Sequence, residues 1–180
     1  DCRFAEGTIS ITQNQVVSRM AYCRIRPAEE EDLLTISAIW MEFMQYHAQF
    51  DVLMKPREGA EAVFRDYLKT CLADENRRII VAEDKGEIIG YAMGRIDQRP
   101  PIYDETIFGF ITDVAVTESR RREGIGSALA MGLYQWFTSR QVTTIEAYVQ
   151  NGNAMAMDFW QRQGFISWVT TIRKTLPSED

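Results

Sequence analysis

The chain has 180 residues, 46% of them hydrophobic and 26% charged, with a formal net charge of -6. Such a length and apolar content suit one globular domain with a substantial core, and the acidic balance argues against a general nucleic-acid binder. No apolar run is long enough to span a bilayer, the opening residues lack a signal-peptide layout, and the three scattered cysteines read as reduced thiols, so a cytoplasmic protein without a disulfide framework or metal site is expected.

Residues 1–19 lack helical periodicity and precede Met20, which is read as the natural start, with the segment before it an extension. Alternation over Thr8, Ile9, Ser10, Ile11 and Thr12 leaves a short added strand open. Residues 20–180 are expected to form one domain. Tyr22–Arg26 predicts a first strand. Pro27 and the acidic run Glu29–Asp32 then open a helix from about Asp32 to Ala48, with carboxylates in its first turn as the dipole prefers. Trp40, Phe43, Tyr46 and Phe50 read as core, and His47, the one histidine, as a partly buried structural residue ahead of a base.

A second helix is predicted over Ala60–Ala73, with Val63, Phe64, Tyr67, Leu68 and Cys71 inward. Arg78–Glu83, the turn Asp84–Glu87 and Ile88–Ile96 read as a β-hairpin. Thr106–Val116 completes an antiparallel meander, with a bend at Gly109. Thr143–Val149 and Ser167–Leu176 read as the last two strands.

Between the meander and the fifth strand lies the stretch with the strongest chemical signal. Val114, Ala115 and Val116 end a strand, Glu118–Glu123 is wholly polar, and Gly124 and Gly126 open an amphipathic helix through Leu129, Leu133, Trp136 and Phe137. The first turn of a helix carries unpaired N–H groups and positive dipole charge, and glycine lets an anion approach closely. With Arg120, Arg121 and Arg122 beside it, this turn predicts a phosphate site. A dinucleotide fingerprint would need glycine where Leu129 stands, and a P-loop would need a Gly-Lys-Ser/Thr ending.

Arg121-x-x-Gly124-x-Gly126 resembles the acyl-CoA signature of the GCN5-related N-acetyltransferases, Arg/Gln-x-x-Gly-x-Gly/Ala. Downstream, Asn153, Ala156, Phe159, Trp160, Gly164 and Phe165 resemble that family's second signature, with Trp160 where the family often has an acidic tyrosine. The resemblance implies an α/β fold: a mixed, mostly antiparallel sheet with helices on both faces, splayed between the strands holding Val114 and Tyr148 to admit CoA. It also implies transfer of an acetyl group from acetyl-CoA to a small-molecule primary amine by direct attack, with no metal, and a homodimer.

On the resemblance, cofactor contacts fall to the backbone of Val114, Ala115 and Val116 and to Arg121, Arg122, Glu123, Gly124, Ile125, Gly126 and Ser127. Asn153, Phe159 and Trp160 complete that set. A backbone N–H near Ala115 or Val116 is the family-like oxyanion donor. Asp113 is the chosen general base, with a structural hydrogen-bonding role left open. Thr112 occupies the position where relatives often carry the carboxylate, and alternation predicts that these two neighbours face opposite ways. Tyr148 is the substitute acid, although a thiol with a pKa of about 8.5 needs little help near neutral pH. A cationic acceptor (polyamine, amino sugar or amino-acid-like) suits the acidic chain. A silent acyl-CoA sensor, a peptide N-acetyltransferase and a phosphoprotein-binding module are the alternatives.

Overall fold

A computed structural model describes residues 23–176. The readings placed on residues 1–19 lie outside them. The chain divides into two compact units, Asp1–Tyr148 and Val149–Asp180.

In the first unit, five strands lie in sequence order: β1 (Arg24–Pro27), β2 (Arg77–Asp84), β3 (Glu87–Gln98), β4 (Ile107–Val116) and β5 (Ile145–Ala147). The first three pairings are antiparallel and β4–β5 is parallel. Helix α1 (Leu33–His47) and helix α2 (Ala60–Leu72) separate β1 from β2. Helix α3 (Ile125–Ser139) separates β4 from β5, the crossover a parallel pair needs. The β2–β3 hairpin turns on Lys85 (φ 53°) and Gly86 (φ 86°), two left-handed residues whose twist matches that of the strands.

The two faces of the sheet are set by alternation. Ile79, Val81, Tyr91, Met93 and Ala115 pack with Leu33, Ile36, Ile39, Leu68 and Cys71 of α1 and α2. The opposite face meets α3, whose Leu129, Leu133 and Phe137 are fully buried. There a Cβ on Gly109 would lie 2.6 Å from Phe137 and one on Gly94 2.9 Å from the same ring. Gly109 is therefore a seat for Phe137 in a continuous strand, and the expected bend is absent. On α2, Leu68 and Cys71 are buried as expected, but Val63 and Tyr67 are exposed: the inward stripe is narrower than the apolar pattern suggested.

At the β1–α1 corner, Arg26 joins Asp32 (2.6 Å) to Glu83 (2.6 Å), and Asp32 also accepts from the Glu29 amide (2.8 Å). The Arg26 guanidinium, opposed by burial, holds the Asp32 carboxyl below its ordinary range.

In the second unit, helix α4 (Ala154–Arg162) is closed at both ends by its own sequence. Asn153 Oδ1 accepts from the Ala156 amide (3.0 Å). At the other end the Gly164 amide donates to Gln161 O and the Phe165 amide to Trp160 O, both at 3.0 Å, with Gly164 at φ 90°. The rings of Trp160 and Phe165 meet at 4.9 Å. This is a Schellman cap with its apolar contact. The strand expected at Ser167–Leu176 does not form: those residues carry no regular structure and are exposed. A strand is held by its ladder, and alternation alone supplies no partner.

Candidate active site

The site in the first unit is built where β4 outruns its parallel partner. The β4–β5 ladder covers Gly109–Ile111 opposite Ile145–Ala147 and stops. Thr112–Val116 continue against β3 alone, so the two strands part at this point.

A bulge sits at the parting. Met93 pairs with Asp113 while the adjacent Gly94 pairs with Ile111, which leaves Thr112 as the inserted residue. The Thr112 hydroxyl donates to the Met93 carbonyl (3.1 Å), satisfying an oxygen where the ladder is interrupted. The expected strict alternation of Thr112 and Asp113 therefore breaks. Asp113 shares the face of its partner Met93, the α1/α2 side, with Tyr91 and Ala115.

Burial pushes the Asp113 carboxyl up to about 6, with the Thr112 hydroxyl pulling weakly the other way. A carboxylate with that poise exchanges protons near neutral pH, as a general base requires. Tyr91 is completely buried beside it, and its hydroxyl finds no hydrogen-bond partner among the described residues. Burial, then the Asp113 charge, raise this phenol well above its ordinary value, so it stays neutral.

Beyond β4 a short 3₁₀ turn (Glu118–Arg120) leads into the arginine loop. Arg122 (φ 66°) and Gly124 (φ 85°) both adopt left-handed backbone. Gly124 is the N-cap of α3, and no side chain caps the helix. The first amide to close a helical turn is Ala128 on Gly124 O (3.0 Å), so the amides of Ile125 and Gly126 have no intrahelical acceptor. A Cβ on Gly124 would meet nothing within 4 Å, so the space over this turn is open. Open amides and a positive dipole end suit an anion such as a pyrophosphate.

The arginines divide their work. Arg120 bonds internally to Asp84 and to Glu123, both at 2.9 Å. Arg121 donates from Nε to the Val116 carbonyl (3.2 Å) and lies 5.6 Å over the Tyr46 ring, tethering the loop to the end of β4 and to α1. Arg122 alone of the three is exposed. Arg120 and Arg121 thus also tie the loop to its surroundings. His47, considered as a base, turns Nδ1 to the Phe43 carbonyl (2.8 Å) and packs on that ring.

Tyr148 ends the first unit, 82% exposed, with its ring edge-on to Phe110 at 4.7 Å. Phe110 pairs with both Arg95 and Glu146, and Arg95 lies 4.5 Å over its ring. Neither Arg95 nor Phe110 was singled out in the sequence, because only the register sets them on the Asp113 face. In the second unit, Asn153 and Trp160 are buried and engaged in the two caps of α4, and Phe159 stacks edge-on to Trp160 at 4.9 Å.

Three comparisons bear on this architecture. A variant of a Bacillus halodurans protein superposes with a TM-score of 0.78 at 22% identity, over 86% of this chain and 99% of that one. An aminoglycoside antibiotic 6'-N-acetyltransferase from Acinetobacter haemolyticus gives 0.66 at 16% identity, over 87% and 99%. Both show the fold. A mycothiol acetyltransferase of Amycolatopsis mediterranei is 26% identical over 125 residues, which are 66% of this chain and 40% of that protein. Residues 36–165 match the acetyltransferase (GNAT) family. With most of its length in that match, and with the sheet, bulge and glycine turn just described, the chain belongs to the acetyltransferase (GNAT) family.

Proposed function

We propose that the protein is an N-acetyltransferase that uses acetyl-CoA to acetylate a primary amine of a small molecule, such as a polyamine, an amino sugar or an amino-acid-like compound. Acetyltransferases of this family use acetyl-CoA. The observation that carries the reading is the open, side-chain-free N-terminal turn of α3, set at the end of the strand that holds a carboxyl poised near 6.

The residues fit the cofactor. Backbone amides from Arg121 to Ser127 are assigned to its pyrophosphate, with the exposed Arg122 as the adjacent cation, and the stretch of β4 at Val114–Val116, paired with β3 but not with β5, to its pantetheine arm. An N–H near Ala115 or Val116 is assigned to the thioester oxygen. Asn153, Phe159 and Trp160 remain cofactor contacts on the strength of the sequence pattern. When bound, acetyl-CoA supplies an acyl group already activated as a thioester.

The chain itself holds and moves protons. Asp113 takes a proton from the acceptor's ammonium, directly or through water, and its raised pKa makes the acid form accessible at neutral pH. Tyr148 stands at the mouth of the parted strands as the donor to the leaving sulfur. A homodimer in the cytoplasm belongs to the same reading and rests on the resemblance.

Thiol release from acetyl-CoA against a panel of amines, run beside calorimetric titration with CoA, tests the assignment. Amine-dependent release supports it. CoA binding with no release from a broad panel would favour a sensor, and absence of both would overturn the reading. Gly124→Val should weaken CoA binding at least about 10-fold by filling the turn; a folded variant with unchanged affinity would contradict the loop assignment.

A further inference from the structure

We infer that the acceptor amine carries a carboxylate, and that Arg95 is the residue that binds it. The inference rests on the transferase reading of Asp113 and narrows it to aminocarboxylates.

Asp113 stands opposite Met93 in the β3–β4 ladder, and Arg95 follows Met93 by two residues on β3, so both side chains leave the same face of the sheet. The ladder separates them by about 7 Å along the strand. Exposure on this face rises from Tyr91 (0%) through Met93 (4%) to the Arg95 side chain (32%), so the guanidinium is where the face opens to solvent.

The guanidinium is fixed in place. It lies 4.5 Å over the Phe110 ring, and its Nε donates to both oxygens of Asp97 at 2.8 and 2.9 Å. Those contacts use the inner edge of the group. Among the described residues its two terminal nitrogens have no protein acceptor. A planar fork held by stacking, on a side chain 32% exposed and with its terminal nitrogens lacking a protein acceptor among the described residues, is the arrangement that takes a carboxylate bidentately.

The neighbouring charges on this face are already spent on one another. Arg99 pairs with Glu146 and lies 4.1 Å over Phe108. Arg95 is itself paired with Asp97, but through Nε alone, so its terminal donors are left to give. An α-amino acid spans from Asp113 to Arg95 when each end adds a charge-assisted hydrogen bond of about 2.8 Å. A polyamine offers no carboxylate to the terminal nitrogens, so the fork would stay unpaired.

The test is thiol release from acetyl-CoA with the common L-amino acids, each run beside its C-terminal amide, by the unaltered protein and by Arg95→Met and Arg95→Lys. Methionine keeps an apolar stem over Phe110, and lysine keeps the charge without the fork. The unaltered protein should favour acid over amide by roughly 10-fold or more in kcat/KM for its preferred side chain. Arg95→Met should bring that ratio close to one, chiefly through KM, and Arg95→Lys should restore part of it. Equal use of acid and amide by the unaltered protein, or a folded Arg95→Met that keeps the ratio, overturns the proposal while the transferase reading stands. Calorimetry with the same amino acids in the presence of CoA separates the two claims. Binding that Arg95→Met abolishes, with no thiol release from any amine, would sustain the Arg95 site and remove the transferase reading. No binding and no release with any amino acid overturns the Arg95 site.

Discussion

The two faces of the central sheet differ in what they bury. On the α3 side, Gly94 and Gly109 of the sheet make room for Phe137, Gly132 of α3 comes down on Ile80, Leu129 and Leu133 fill the rest, and Arg78 lies 5.7 Å over the Trp136 ring. On the α1/α2 side the core begins in the same way, with Leu33, Ile36 and Val81, but then admits a phenol without a partner, a carboxyl and a stacked arginine. Both faces stack an arginine on a ring and bury a polar atom without a protein partner, but among the described residues only the α1/α2 face holds a carboxyl that burial raises, which is the mark of a functional surface.

The sharpest way to break the comparison is at Asp113. Asp113→Asn should lower kcat by about 100-fold or more, since it removes the proton acceptor and little volume. Its effect on stability should run the other way. The folded pKa, about 6, lies above the ordinary carboxyl value of 3.8, so the folded state holds its proton longer than the unfolded chain does. Stability is therefore intact below about pH 4, falls as pH rises through about 6, and is flat above. Asp113→Asn removes that loss and should be more stable than the unaltered protein at pH 7 by on the order of 2 kcal/mol, with the gap closing toward pH 4. Denaturant melts at the two pH values read this directly.

On the opposite face the expected loss is of stability alone. Gly109→Val drives a side chain into Phe137 and should cost about 2–3 kcal/mol, with the thiol-release rate per folded molecule retained. A Gly109→Val protein of normal stability would mean that the α3 face is loosely packed. The smallest effect is expected at Tyr91. Tyr91→Phe removes a buried hydroxyl without a protein partner, so stability should stay level or rise by up to about 1 kcal/mol. A clear destabilisation would show that the hydroxyl bonds to an ordered water, which would tie the core to Asp113.

Much of this was readable from local patterns. The β2–β3 hairpin, the long first helix, the strand into the arginine loop and the helix after Gly124 each come from short-range periodicity and turn chemistry, which act within a few residues. What escaped depends on partners distant in the chain. Thr112 becomes a bulge only because Met93 and Gly94 pair on either side of it, and Gly109 is explained only by Phe137. Arg120 and Arg121, read as phosphate cations, also bond to Asp84 and to the Val116 carbonyl, contacts that only the fold brings within reach. The second signature, read as a cofactor motif, also encodes both caps of α4 through Asn153, Gly164 and Phe165. That capping chemistry was legible by the same rules that found the Gly124 turn.

The measurement that tests the central claim most directly is the pH dependence of amine-stimulated thiol release from acetyl-CoA, for the unaltered protein and for Asp113→Asn. The rate should climb with pH through about 6 as Asp113 ionises, and the variant should lose both that limb and about 100-fold or more of the rate while still binding CoA. A folded Asp113→Asn protein with the same rate and the same profile would contradict that claim.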